Sequence, residues 1–147
     1  GKRVIQSAGV PMLLRGPGFL SNGAVILPMV SNLDLVASIV EWAGATPGRV
    51  LDGRSLTALV RGEAPPRRQR LLLEGGGPGS WWQGVEDDDG TLYTRYITGE
   101  EELYVRGDPG VNWAMQYPER VQRLLEHYRA ALARLGTCAG ASCWEGP

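Results

Sequence analysis

The density of glycine and proline limits this chain's possible folds more than any other feature. The sequence holds 21 glycines and 10 prolines in 147 residues, about 21% of the chain, against about 12% in average usage. Glycine raises the entropy lost on ordering, and proline fixes φ and removes a donor, so both interrupt regular elements. A loop-rich chain is expected, and not a helical bundle. Leu, Ile, Val and Phe supply 35 of the 147 residues, above the level at which disorder prevails and enough for a modest core. The length suits one domain or a piece of something larger. No apolar run approaches the roughly 20 residues of a membrane helix, and no charged n-region or signal h-region is present. With Gly1 first and no initiator Met, the chain reads as a fragment. Neither membrane nor nucleic acid is expected as a partner.

The net charge of −1 conceals two opposed halves. Residues 1–70 carry nine basic and four acidic side chains, and residues 71–147 carry six basic and twelve acidic. The positive half suits an anionic substrate but is too diffuse for nucleic acid. Fourteen of the 15 basic residues are Arg, the mark of GC-rich codon drift, which makes the single lysine, Lys2, conspicuous. Cys138 and Cys143 enclose four small residues. Two thiols alone do not complete a zinc site, so the choice lies between a short-loop disulfide, the preferred reading, and two free thiols. A bridge would imply an oxidising compartment.

Punctuation and periodicity set out the elements. Val10–Leu14, closed by Arg15–Gly18, is predicted as a buried strand entering a turn. Ser31 and Asn32 are candidate caps for a helix whose Leu33, Val36, Ile39, Val40 and Ala43 share an apolar face, with Gly44 as the stop. Asp52–Arg54 is a turn before a short helix from Ser55 to Gly62. The connector Glu63–Arg70, with Pro65-Pro66 and three arginines, marks a boundary, after which the pattern changes to strands. Strands are predicted at 70–74, 81–86, 91–97 and 102–105, with Asp87–Gly90 as a hairpin turn. Glu119–Leu135 is the clearest helix, its stripe formed by Val121, Leu124, Leu125, Tyr128, Leu132 and Leu135.

The order of these motifs resembles the sulfatase family. The resemblance is carried by Val-Pro-Met-Leu-Leu-Arg-Gly-Pro-Gly at 10–18, Val-Ser-Asn-Leu-Asp-Leu-Val-Ala-Ser-Ile-Val-Glu-Trp-Ala-Gly-Ala at 30–45, and Asp-Gly-Arg-Ser-Leu-Thr-Ala-Leu-Val-Arg-Gly at 52–62. Thr-Gly-Glu-Glu-Glu-Leu-Tyr at 98–104, Asp-Pro-Gly-Val-Asn at 108–112 and the terminal Cys-Ala-Gly-Ala-Ser-Cys extend it over nearly the whole chain. The chain is most similar to the C-terminal third of bacterial N-acetylglucosamine-6-sulfatase and arylsulfatase-type enzymes. The resemblance implies an α/β, alkaline-phosphatase-like fold. Residues 1–62 would end its N-terminal α/β domain. Residues 63–147 would form a C-terminal subdomain of a small antiparallel sheet with helix 119–135 packed on it.

It also implies hydrolysis of sulfate esters, of a sulfated glycan or small molecule, by a full-length parent with a formylglycine and a bound calcium. The Cys/Ser-x-Pro-x-Arg precursor of formylglycine and the calcium ligands do not occur here. The fragment alone is expected to be inactive and to bind no metal, and its partner is the N-terminal part of the same enzyme. A periplasmic or extracellular location follows from the family and the cysteine pair. Gly1-Lys2 stands where the family has a Gly-Lys step whose lysine binds sulfate oxygens. It departs from the pattern in Val4-Ile5-Gln6 and in a gap before Val10-Pro11 about two residues short. Two other classes remain open, a glycan-binding or packing module without catalysis, and a phosphodiesterase or phosphotransferase of the alkaline phosphatase superfamily.

Other side chains have two readings each. Trp81 and Trp82, beside a Gly-rich loop, could stack on sugar rings or pack beneath the loop. Arg67, Arg68 and Arg70 suit a solvated connector better than an anion site. Asp34 suits a structural role in the first helical turn, and His127, off its helix's stripe, suits solvent. Glu86–Asp89 lacks the oxygen spacing of a calcium loop and reads as a solvated turn.

Overall fold

Four short strands separated by turn residues can close only as neighbours. β1 (Arg70–Gly75), β2 (Trp82–Asp87), β3 (Leu92–Tyr96) and β4 (Glu101–Tyr104) form an antiparallel sheet in the order β1-β2-β3-β4. The computed structural model describes residues 9–20, 23–108, 110–116 and 118–144. The hairpin between β2 and β3 closes through Gly90 N donating to Asp87 O at 2.9 Å and Asp87 N to Thr91 O at 2.9 Å. Side chains alternate across a strand, and Tyr93, in register with Val85 and Leu103, puts all three on one face. Helix α3 (Glu119–Leu135) buries Val121, Leu125, Tyr128, Ala131, Leu132 and Leu135 against that face. Each leucine so covered contributes about 1.5–3 kcal/mol. The protein is mixed α/β, with a small antiparallel sheet and a C-terminal helix.

The chain divides into two compact units, Arg70–Thr137 and Val10–Gln69 with the tail from Cys138. In the second unit, helix α1 (Asn32–Trp42) starts at Ser31, whose Oγ accepts from Leu33 N at 3.2 Å, while Asp34 Oδ2 accepts from Ser31 N at 2.8 Å. A short helix α2 (Thr57–Val60) follows. Gly53 lies so close to the start of α1 that a Cβ there would stand 2.1 Å from Leu33 O. That approach lets Arg54 N reach Asp34 Oδ1 at 2.8 Å. Leu56, Leu59 and Val60 make a small core with Met12, Phe19 and Val30.

Several expectations are corrected here. Val10–Leu14 forms no strand, because among the described residues no strand pairs with it, and Val10 and Leu13 are 74% and 93% exposed. Helix α1 turns its apolar stripe outward: Leu33, Val36 and Ile39 are about half exposed, while Asp34, Ala37 and Ser38 are buried. The polar side chains win the interior because each finds a partner. Ser38 Oγ donates to Asp34 O at 2.6 Å and accepts from Leu56 N at 2.8 Å. The second helix spans four residues and not the eight expected; its Ser55 Oγ accepts from Thr57 N at 3.1 Å. Arg68, expected in a solvated connector, is 3% exposed. Its Nη1 and Nη2 donate to the two Asp34 oxygens at 2.6 and 2.7 Å. Arg70 also leaves solvent, pairing with Asp87 at 2.7 Å. Asp87, expected in a solvated turn, is thereby tied down, and it also accepts from Tyr128 Oη at 2.8 Å.

The structure joins Cys138 to Cys143 in a disulfide, with an S–S distance of 2.09 Å and Cα atoms 5.1 Å apart. The small loop it closes packs on the Val50–Arg54 segment. Gly140 N donates to Asp52 Oδ1 at 2.8 Å, and the Arg54 guanidinium lies 5.3 Å from the Trp144 ring centre.

Candidate binding site

The C-terminal half of α3 and the ends of β2 and β3 enclose a groove of about 680 Å³. Its aromatic side carries Trp81, Trp82 and Tyr96, and its polar side Gln83, Arg95 and Arg129. The two tryptophans are placed differently. Trp82 is half-buried on the sheet, its indole lying where a Cβ on Gly75 would come within 2.6 Å of the ring. Glycine at 75 therefore seats that indole. Trp81 is 55% exposed, and its carbonyl accepts from Ile97 N at 2.9 Å, which extends the β2–β3 ladder to the groove's edge.

A charged cluster supports the groove from β4. Glu101 accepts from Arg129 Nε at 2.7 Å and Nη2 at 2.5 Å, and from Tyr93 Oη at 2.5 Å. Hydrogen bonding to Arg129 draws the Glu101 carboxyl down to about 2, with burial opposing and Tyr93 assisting. Burial, then the Glu101 hydrogen bond, pushes the Tyr93 phenol up. Burial and the Glu102 carboxylate raise Tyr96 to about 12, so both phenols are neutral donors at ordinary pH.

Arg95 faces Glu101 across the β3–β4 pair, yet Arg129 engages both oxygens of that carboxylate. Among the described residues Arg95 has no carboxylate within 4.0 Å. Sequence reading singled out the tryptophans and missed Arg95 and Arg129. The available signal was positional. Arg95 lies two residues beyond Tyr93 on one strand face, and Arg129 borders the α3 stripe four residues after Leu125.

The groove brings together an aromatic wall and guanidinium and amide donors, the components of a small-ligand cleft. His127 lies outside it, exposed, with Nε2 2.7 Å from Arg70 Nη2. Lys2 lies outside the described residues. A pocket of about 250 Å³ in the unit containing α1 is lined by apolar side chains such as Met12, Phe19, Leu20 and Leu59 and offers no acid, base or ligand. Among the described residues no three His, Cys, Asp or Glu side chains could hold a metal ion. Among the described residues no helix is long and apolar enough to cross a membrane.

Comparison with known proteins relates the chain to the sulfatases. Steryl-sulfatase from Mus musculus is 46% identical to it over 66 residues. The match takes in 44% of this chain and 11% of that protein, so the chain spans about a tenth of the length of the curated relative it matches. No protein-family model matches the chain.

Proposed function

We propose that this chain is the C-terminal portion of a sulfuric ester hydrolase with an alkaline-phosphatase-like fold. The observation that carries the reading is the 46% identity to a sulfatase over 66 residues, joined to the order of the motifs at 10–18, 30–45 and 52–62. In this reading residues 1–62 complete the N-terminal α/β domain, and the sheet with α3 belongs to a C-terminal subdomain within 63–147. The formylglycine and the calcium belong to the N-terminal part of the same enzyme. The outward stripe of Leu33, Val36 and Ile39 is the surface on which that part packs. The disulfide supports a periplasmic or extracellular location, where such bridges persist.

Lys2 supplies a compact ammonium to the sulfate oxygens, where a point charge stabilises the charge that grows on the leaving group. The substrate is a sulfate ester, by subtype a sulfated N-acetylglucosamine. The relative's name makes a steryl sulfate the competing choice. The test is turnover by the full-length protein on an aryl sulfate, on N-acetylglucosamine 6-sulfate and on a steryl sulfate, beside the 147-residue chain. The full-length protein is expected to turn over at least one sulfate ester, the chain alone none, and Lys2→Ala to lower kcat/KM by roughly 10²–10³. Turnover of phosphate esters alone by the full-length protein would replace the reading with phosphoryl transfer. Wild-type kinetics in Lys2→Ala would remove Lys2 from the site.

A further inference from the structure

We propose that the groove beside α3 binds an acidic saccharide, with Trp81 under the apolar face of a sugar ring and Arg95 on that sugar's sulfate or carboxylate. The site lies wholly within residues 74–137 and goes beyond the sulfatase reading, which places the reaction elsewhere.

Three observations identify the ligand's chemistry. The first is the aromatic wall. Trp81 and Ile97 are 55% and 68% exposed at one end of the groove, and a flat indole with solvent over it matches the C–H face of a pyranose. Trp82 is committed to packing over Gly75, which leaves Trp81 as the stacking ring. The second is the state of Arg95. Arg129 and Tyr93 occupy Glu101, the carboxylate in register with Arg95. Arg95 acts on Glu101 through charge alone, with no ion pair within 4.0 Å among the described residues, so its guanidinium keeps two parallel donors for a sulfate or carboxylate.

The third observation is the hydroxyl-matching rim. Gln83 Nε2 donates to Glu74 Oε1 at 2.6 Å, and this amide–carboxylate pair lines the same groove and presents acceptors for sugar hydroxyls. A volume of about 680 Å³ falls within the roughly 300–1,000 Å³ of small-ligand clefts. A nucleic acid fits poorly, because residues 71–147 carry six basic against twelve acidic side chains and a phosphate chain needs several cations in a row, whereas one sulfate or carboxylate needs a single guanidinium.

Calorimetric titration of the 147-residue chain tests the proposal with three ligands, N-acetylglucosamine 6-sulfate, glucuronic acid and uncharged N-acetylglucosamine. At least one of the two charged sugars is expected to bind about tenfold more tightly than the uncharged one, the increment of a single charge-assisted hydrogen-bond pair. Which of the two does so identifies the anionic group that Arg95 takes. Arg95→Gln should abolish that difference and leave the uncharged sugar unaffected. Trp81→Ala should weaken every sugar about tenfold, as expected for the loss of a stacking ring. Both side chains are exposed, so the melting temperature should not move, and it serves as the folding control. A chain that binds neither charged sugar better than the uncharged one overturns the proposal. Equal affinities of wild type and Arg95→Gln at an unchanged melting temperature also overturn it.

Discussion

Helices α1 and α3 are both amphipathic, and the two regions use them in opposite ways. In Arg70–Thr137 the apolar stripe of α3 meets the apolar sheet face, so Leu125, Tyr128 and Leu135 are at most 3% exposed. In Val10–Gln69 the buried side of α1 is Asp34, Ala37 and Ser38, and the stripe of Leu33, Val36 and Ile39 stays about half exposed. One region seats its helix by area removed from water, whereas the other seats α1 by a polar knot beside a small apolar core of Leu56, Leu59 and Val60. An apolar stripe therefore becomes a covered face only where an apolar partner surface folds against it. Among the described residues α3 has one, and α1 does not.

The sharpest test of that contrast is Asp34→Ala. It leaves Arg68, 3% exposed, buried without its carboxylate, a change that costs about 3–5 kcal/mol. Hydrogen exchange should accelerate across 31–69 and leave 82–104 protected. Equal acceleration in both would mean that the two regions unfold as one. The next pair of variants compares the stripes directly. Leu125→Ala should destabilise by about 3 kcal/mol, as buried leucines do, whereas Ile39→Ala should stay within about 0.5 kcal/mol in this chain. Denaturant midpoints measure both, and a loss at Ile39 matching that at Leu125 would show α1's stripe to be covered.

The smallest effect is a pH dependence confined to the sheet region. Glu101 is held at about 2, against 4.5 when unconstrained. Its contribution is present above pH 4.5 and is lost as pH falls toward 2, because the unfolded chain takes up the proton first. Glu101→Gln should flatten the stability curve over that interval alone. Identical wild-type and variant slopes there would detach Arg129 from Glu101.

What sequence reading captured follows from range. The α3 stripe, the hairpin at Asp87–Gly90 and the Ser31 cap are set by neighbours within a few residues, and periodicity and turn chemistry report such neighbours. Arg68 could not be read that way. Its partner Asp34 is 34 positions away, and in a Pro-rich connector an arginine looks solvated until the chain is folded back. Val10–Leu14 has strand composition, but strandedness requires a second strand, which composition does not supply. At the groove, aromatic residues beside a Gly-rich loop stood out, whereas Arg95 looked like any surface arginine. Only the capture of Glu101 by Arg129 distinguishes it.

The Gly75–Trp82 contact also orders how this surface can vary from one generation to the next. Any residue but glycine at 75 would put its Cβ 2.6 Å from the Trp82 indole, a separation at which something must move. While that indole is present, a change at 75 displaces it and disturbs the groove beside it. After a smaller side chain has replaced Trp82, position 75 is released. The two sites are thus historically coupled. The order Trp82 before Gly75 is therefore the less disruptive one, and a library that randomises both should return changes at Gly75 more often beside a smaller residue at 82 than beside Trp82.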